Sequence, residues 1–138
     1  MAYSDVSDIR KLIPETDLIQ LTDDDGVGVV DQDILYEAID QADREIDAYL
    51  GARYPVPLDP VPELIRNLSA QMAVWHLYGR RNLMSEVWES RYKNAIRLLD
   101  LIRRGEIAIG ATAGETSSPS AGVRYAGNEK VLTDLSMY

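Results

Sequence analysis

Arg53-Tyr54-Pro55-Val56-Pro57-Leu58-Asp59-Pro60-Val61-Pro62 holds four of the chain's six prolines and stands between two strongly helical patterns. Proline lacks the N–H that a helix interior needs. Pro55 and Pro57 also push the residues before them towards extended geometry, so the incoming helix must stop near Arg53 or Tyr54. Asp59 reads as the N-cap of the outgoing helix, with Pro60 and Pro62 in its first turn, where backbone N–H groups have no intrahelical partner. The segment therefore sets where two long helices part.

Upstream of it, from Asp33 to about Arg53, Ile34, Leu35, Ala38, Ile39, Ala42, Ile46, Tyr49 and Leu50 recur at helical spacing. Glu37, Asp40, Asp43, Arg44 and Asp47 take the other side, which predicts a core helix with an acidic outer face. Downstream, Leu64, Ile65, Leu68, Met72 and Trp75 repeat every three to four residues, and Ala70, Ala73, Val74 and Leu77 widen the apolar surface. That breadth predicts a central, mostly buried helix. A third long helix is predicted from about Ser85 to Arg104, with Val87, Trp88, Tyr92, Ala95, Ile96, Leu99 and Ile102 on one stripe. Arg103-Arg104-Gly105 closes it with bases near the negative pole and a glycine placed for a left-handed cap.

The ends are shorter pieces. Ser4 to Ile13 begins with a capping residue and stops at Pro14, predicting a short helix, and Glu15 to Leu21 adds one or two turns. After Gly105, Glu106-Ile107-Ala108-Ile109 alternates like a short strand. Residues 110–122 are small and polar and read as a flexible linker. Val123-Arg124-Tyr125 and Val131 to Tyr138 regain apolar and aromatic residues, as an arm that docks on a partner or folds back would. The expected fold is thus mainly α: a helical domain over residues 1–109, with three long helices and short N-terminal ones, then a linker and C-terminal arm over 110–138 that could contain short strands.

At 138 residues one domain and one core are expected. Apolar residues make up 46% of the chain, yet no uninterrupted run approaches the roughly 20 that a membrane span requires, so no membrane association is expected. Met1 to Asp5 carries neither the basic flank nor the apolar segment of a secretory signal, and cytoplasmic synthesis is the expectation. The absence of cysteine excludes disulfides, thiolate catalysis and zinc sites built on thiolates.

The net charge of −9 is unevenly laid out. Residues 1–50 carry 14 acids against 3 bases, a net of −11; residues 51–109 carry 6 acids against 9 bases, a net of +3; the last 29 residues carry −1. One reading is a solvated acidic face. The other is a head-to-tail interface between unlike surfaces, which closes into a ring when the rotation allows.

Two motifs contain residue types suited to chemistry. Thr22 to Asp31 clusters carboxylates beside Gly26 and Gly28, as a loop around a hard cation does. Aligned on the obligatory glycine of a calcium loop, Asp23, Asp25 and Asp31 fall at its first, third and ninth positions. Position five is then Val27, and the final bidentate acid is Ile34, so the competing reading is a polar turn in which Asp31 caps the next helix. His76, the chain's one histidine, lies in the broadest apolar pattern with no nucleophile motif beside it, which favours a packed role over catalysis. No catalytic residue, metal ligand or cofactor is assigned, and the chain is read as no enzyme.

Several stretches, taken in order, resemble a known family: Ala2-Tyr3-Ser4 leading into Asp8-Ile9-Arg10; Leu18-Ile19-Gln20-Leu21-Thr22-Asp23-Asp24; Ile46-Asp47-Ala48-Tyr49-Leu50-Gly51-Ala52-Arg53-Tyr54; and Pro55-Val56-Pro57-Leu58 with Pro60. They are similar to the neck proteins of Mu-like phages and prophages, over residues 2 to about 109. The resemblance implies a head-tail connector, or head-completion adaptor. Such a protein would form a ring, commonly of about twelve copies, between the portal and the tail-side neck proteins, at the virion neck, with DNA passing through the lumen without specific binding. Candidate subunit contacts are Glu37, Asp40, Asp43 and Asp47 on the acidic face and Arg91, Lys93, Arg97, Arg103 and Arg104 on the basic one. The alternative is a helical regulatory or nucleic-acid module in which Arg80, Arg81, Arg91, Lys93 and Arg97 contact phosphate, and a third is a cation-binding module built on Asp23, Asp25 and Asp31.

Overall fold

A computed structural model describes residues 2–109. They form five helices, α1 (Val6–Arg10), α2 (Glu15–Thr22), α3 (Gln32–Leu50), α4 (Glu63–Arg80) and α5 (Glu86–Arg103), with no strand among the described residues. The fold is mainly helical, as expected. The expected linker and arm lie outside the described residues, and so does any strand in them.

Local chemistry starts most of the helices. Asp5 caps α1 through a reciprocal box with Asp8, Asp31 accepts from the Asp33 N–H at 3.0 Å to open α3, and Ser85 accepts from the Trp88 N–H at 3.4 Å to open α5. Ser4, the expected cap of the first helix, is instead buried and bonded elsewhere. The proline segment also departs from its reading. Asp59 does not cap α4 and Pro60 is not in its first turn; Pro62 holds the N-cap position and the helix begins at Glu63. The reason is Leu58. Its side chain is buried in the core and its N–H is bonded to the Tyr3 hydroxyl at 2.9 Å, so the chain stays non-helical past Asp59. Peptide bonds Val56–Pro57 and Asp59–Pro60 are cis.

The ends of α4 and α5 are built alike. At α5, Gly105 takes φ +81°, its N–H bonds the Ile102 carbonyl at 2.9 Å and the Glu106 N–H bonds the Leu101 carbonyl at 2.9 Å. This is the paired closure that a left-handed residue permits. At α4, Asn82 plays the same part at φ 56°, with Asn82 N–H to the Gly79 carbonyl at 3.1 Å and Leu83 N–H to the Tyr78 carbonyl at 3.0 Å. The Glu106 bond turns the chain back onto α5, so Glu106 to Ile109 is not the expected strand; Ile109 is buried against the helices instead.

α3 and α4 each touch every other helix. α3 contributes Leu35, Ala38, Ile39, Ala42, Ile46 and Leu50 to the core, and α4 contributes Ile65, Leu68, Met72, Ala73, Val74 and Leu77. Burying each of the larger ones is worth about 1.5–3 kcal/mol. α5 closes the bundle with Trp88, Ala95, Leu99 and Ile102. Val87, expected on that stripe, is exposed. It lies about 100° round the helix from Trp88, so the two cannot share a narrow face.

Two contacts fix the directions. Asp24, ahead of α3, pairs with Arg80 at the end of α4, and Gly105, after α5, lies against Arg53, after α3. The three long helices therefore alternate. One end of the bundle carries the 23–31 loop and the α4–α5 turn; the other carries the prolines and the chain after α5.

Gly105→Ala should lower stability by about 1–2 kcal/mol, from the left-handed penalty plus the push of a Cβ into the Arg53 guanidinium. The expected readout is a lower urea midpoint with an unchanged m-value. Asn82→Gly, at a position already left-handed, should change stability by less than about 1 kcal/mol.

Candidate subunit interface

The acidic candidates on α3 divide into three kinds. Glu37 and Asp40 are exposed, and Asp40 pairs with Arg44 one turn on. Asp47 is half-buried and accepts from the Tyr3 hydroxyl. Asp43 is buried, with 7% of its surface exposed, and this corrects its placement on the outer face. It stands four residues after Ile39 and three before Ile46, at the edge of the buried stripe, where Tyr3 and Ser69 cover it.

What holds that acid is a polar network running through the N-terminal segment. Asp43 accepts from the Tyr3 backbone N–H at 2.9 Å and from the Ser69 hydroxyl at 2.6 Å. Ser69 has one hydroxyl hydrogen, spent on Asp43, so Ser4, 2.7 Å away, donates to Ser69. The Tyr3 ring is buried, and its hydroxyl accepts from the Leu58 N–H while donating to Asp47. Burial is the main force raising the Asp43 carboxyl above its ordinary value, helped by the charges of Asp47 and Asp40 and opposed by its two hydrogen bonds. Burial likewise raises the Tyr3 phenol. In the sequence Ser4 carries the signal of a helix cap, and nothing local to Tyr3 marks the network that it anchors.

The basic candidates on α5 and at its C-cap, Arg104, are all exposed. Lys93 pairs with Glu89 at 3.5 Å, Arg103 with Asp100, and Arg104 with Asp100 at 3.1 Å and Glu106 at 2.9 Å. Arg91 lies over the Trp88 ring, 4.6 Å from its centroid, and Arg97 donates to Asn94 at 2.8 Å. Among the described residues neither has a carboxylate partner. The acidic and basic candidates thus sit on adjacent helices, and much of their charge is already neutralised within the fold.

Arg80 and Arg81, which the nucleic-acid reading would aim at phosphate, both grip Asp24, at 2.7 and 2.9 Å. Arg80 also donates to the Leu21 carbonyl at 2.8 Å. The arginine contact holds the Asp24 carboxyl below its ordinary range. In the 23–31 loop, Asp23 accepts from the Val27 and Gly28 N–H groups at 3.0 and 2.7 Å, and Thr22 accepts from the Asp31 N–H at 3.0 Å. Asp23 is thus committed to the turn and Asp31 to capping α3. No cluster of three potential metal-ligating side chains occurs among the described residues.

His76 packs as a link between helices. Its Nε2 is 2.8 Å from Glu45, whose other oxygen accepts from the Tyr92 hydroxyl at 3.0 Å, and Tyr92 stacks on Trp75 with centroids 5.4 Å apart. One carboxylate on α3 thereby ties α4 and α5. Burial first, then the bond to Glu45, pushes the Tyr92 phenol up to about 12. Glu45 carried no special signal in the sequence, since one acid among many does not announce its partners.

The family model described as Bacteriophage Mu, Gp36 matches residues 3–126, nearly the whole chain. The chain belongs to the Mu gp36 family. Among its relatives, this gp36-family chain is 31% identical over 81 residues to the Mu-like prophage FluMu protein gp36 of Haemophilus influenzae, covering 59% of this chain and 56% of that protein. It is 28% identical over 120 residues to gene product J of Escherichia phage Mu, covering 86% of this chain and 84% of that protein. The matched stretch therefore spans little more than half of the first relative and most of the second. The chain is a Mu-like phage protein, and among the described residues no helix is long and apolar enough to cross a membrane.

Removing the Tyr3 hydroxyl should strand the Leu58 N–H. Tyr3→Phe is expected to cost about 1–3 kcal/mol in urea unfolding while leaving the helical circular dichroism unchanged. Asp43 should make stability fall as pH rises from the ordinary aspartate value of about 3.9 to its raised folded value, because over that window the unfolded chain releases the proton first. Asp43→Asn should remove that slope; stability–pH curves that stay parallel to wild type above about pH 4 would contradict the assignment.

Proposed function

We propose that this chain is a structural, non-catalytic component of the phage neck, a head-tail connector that packs against copies of itself in a ring between portal and tail. Membership of a Mu-like phage family supplies the context. The observation that carries the reading is that candidate contacts of opposite sign, on different helices, are left uncompensated. Glu37 on α3, and Arg91 and Arg97 on α5, have no ion-pair partner among the described residues. A head-to-tail contact that sets the α3 side of one copy against the α5 side of the next would satisfy both sets, and repetition of such a contact closes a ring or extends a filament.

The formal charge of −9 suits a lumen through which DNA must slide, since phosphate binds basic surfaces tightly. With Arg80, Arg81 and Lys93 engaged by acids, the nucleic-acid alternative keeps only Arg91 and Arg97 of its five candidates. In the connector reading, synthesis takes place in the bacterial cytoplasm and the mature location is the virion neck.

Light scattering over a range of concentration and salt, with purified portal present and negative-stain imaging alongside, tests the proposal. Salt-sensitive assembly into rings is expected. Arg91→Glu combined with Arg97→Glu should weaken it by about tenfold or more, and adding Glu37→Lys with Asp40→Lys to the same chain should restore it. A chain that stays monomeric under every condition, portal included, would overturn the connector reading.

A further inference from the structure

The exposed large apolar side chains gather at one end of the bundle. Met84 and Leu83 lie in the turn between α4 and α5, Val87 in the first turn of α5, and Val27 and Val29 in the loop before α3. Met84 is 76% exposed and Val27 68%. The grip of Arg80 and Arg81 on Asp24 brings the two loops together, so all five residues share this end. Elsewhere on the described residues only Tyr36 and Val56 are comparably exposed. Apolar side chains held out in this way on neighbouring loops mark an interaction surface.

We propose that this loop end is the docking site of the chain's own segment 123–138. Length permits it. The described chain stops at Ile109, at the opposite end of α5, and the helix's 18 residues set the two ends about 27 Å apart. Residues 110–122 number thirteen, none large and apolar, and span up to about 43 Å when extended. Composition permits it as well: seven large apolar or aromatic residues follow between Val123 and Tyr138. The family match runs on to residue 126, through the polar stretch and Val123-Arg124-Tyr125.

A second copy fits the surface less well. The described residues offer no other apolar patch to meet it, so two copies would have to join loop end to loop end. That contact would press Asp23 and Asp25 of one copy against those of the other, and like charges so placed repel. Segment 123–138 carries two acids and two bases and meets no such penalty.

The chain has no cysteine, which makes a cross-linking test direct. In the full chain, Met84→Cys with Tyr125→Cys should link through a short bismaleimide at least about tenfold faster than Asn67→Cys with Tyr125→Cys, Asn67 being exposed near the proline end. Mixing copies of two sizes tells a link within one chain from a link between neighbours, and either supports the docking. Equal rates for the two pairs would overturn it. Linking of Met84→Cys to the same position of another copy, in place of Tyr125→Cys, would overturn it in favour of a second copy. As an independent readout, Leu83→Glu with Met84→Glu should speed tryptic cleavage after Arg124 and Lys130 by about tenfold, with circular dichroism unchanged. Unchanged cleavage would also overturn the proposal. None of these measurements depends on ring formation, so failure here and failure of the connector reading are separable.

Discussion

Tyr3 is the point at which the described fold is tied together. Its N–H reaches Asp43 on α3, its ring fills the core, and its hydroxyl bridges Asp47 on α3 and Leu58 in the proline segment. Ser4 beside it extends the tie through Ser69 to α4. A chain whose long helices are joined by a non-helical segment needs something to hold that segment in place. Here the N-terminus does it, from 55 residues away in sequence. A buried carboxylate is costly unless its oxygens are bonded, and both oxygens of Asp43 have donors in this network. The arrangement works only with every member present, because a half-satisfied buried network is worse than an apolar one.

The same logic sorts the chain's many charges. Most exposed acids and bases close pairs within or between neighbouring helices, and such pairs contribute roughly 0–1 kcal/mol each. Their greater effect is to reduce what remains for partners. Arg66 is taken by Asp5 and Asp8, Arg80 and Arg81 by Asp24, and Arg103 and Arg104 by Asp100. Of the candidate contacts on the two helices, Glu37 on one and Arg91 and Arg97 on the other stay outside any ion pair among the described residues, as do Lys11, Asp17, Asp25, Asp33, Asp59, Glu63 and Glu86 elsewhere on the surface. A net charge counted along the sequence would not reveal this, since the −11 of the first fifty residues includes Asp43 and Asp47, whose carboxylates face inward.

The helices were legible in the sequence because their apolar periods are long and uninterrupted. The stripe Leu35, Ala38, Ile39, Ala42, Ile46 and Leu50 could be read off directly, and Gly105 after two arginines marked the end of α5. What could not be read depends on contacts distant in sequence. Asp43 has the same local spacing as a surface acid, and only the return of Tyr3 and Ser69 to its side makes it buried. Asp59 had the chemistry of a cap, but Leu58 was claimed by the core and the helix began later. Val87 and Trp88 both looked like core residues; one residue of helical rotation separates an exposed position from a buried one. Of the candidate interface, residue types and helices were visible, whereas which charges are already spent was not.

The geometry also separates two kinds of contact that a connector would need. Glu37, Asp40, Arg91 and Arg97 lie along the sides of α3 and α5, where lateral neighbours would sit, while the apolar side chains of Leu83, Met84 and Val27 crown one end of the bundle. Charged lateral faces set register and partner choice and weaken with salt, whereas apolar burial is insensitive to salt screening. An arm seated on the loop end would therefore persist under conditions that loosen the sides. It would also cover the surface through which copies could otherwise associate end to end, leaving the charged flanks to determine how they meet.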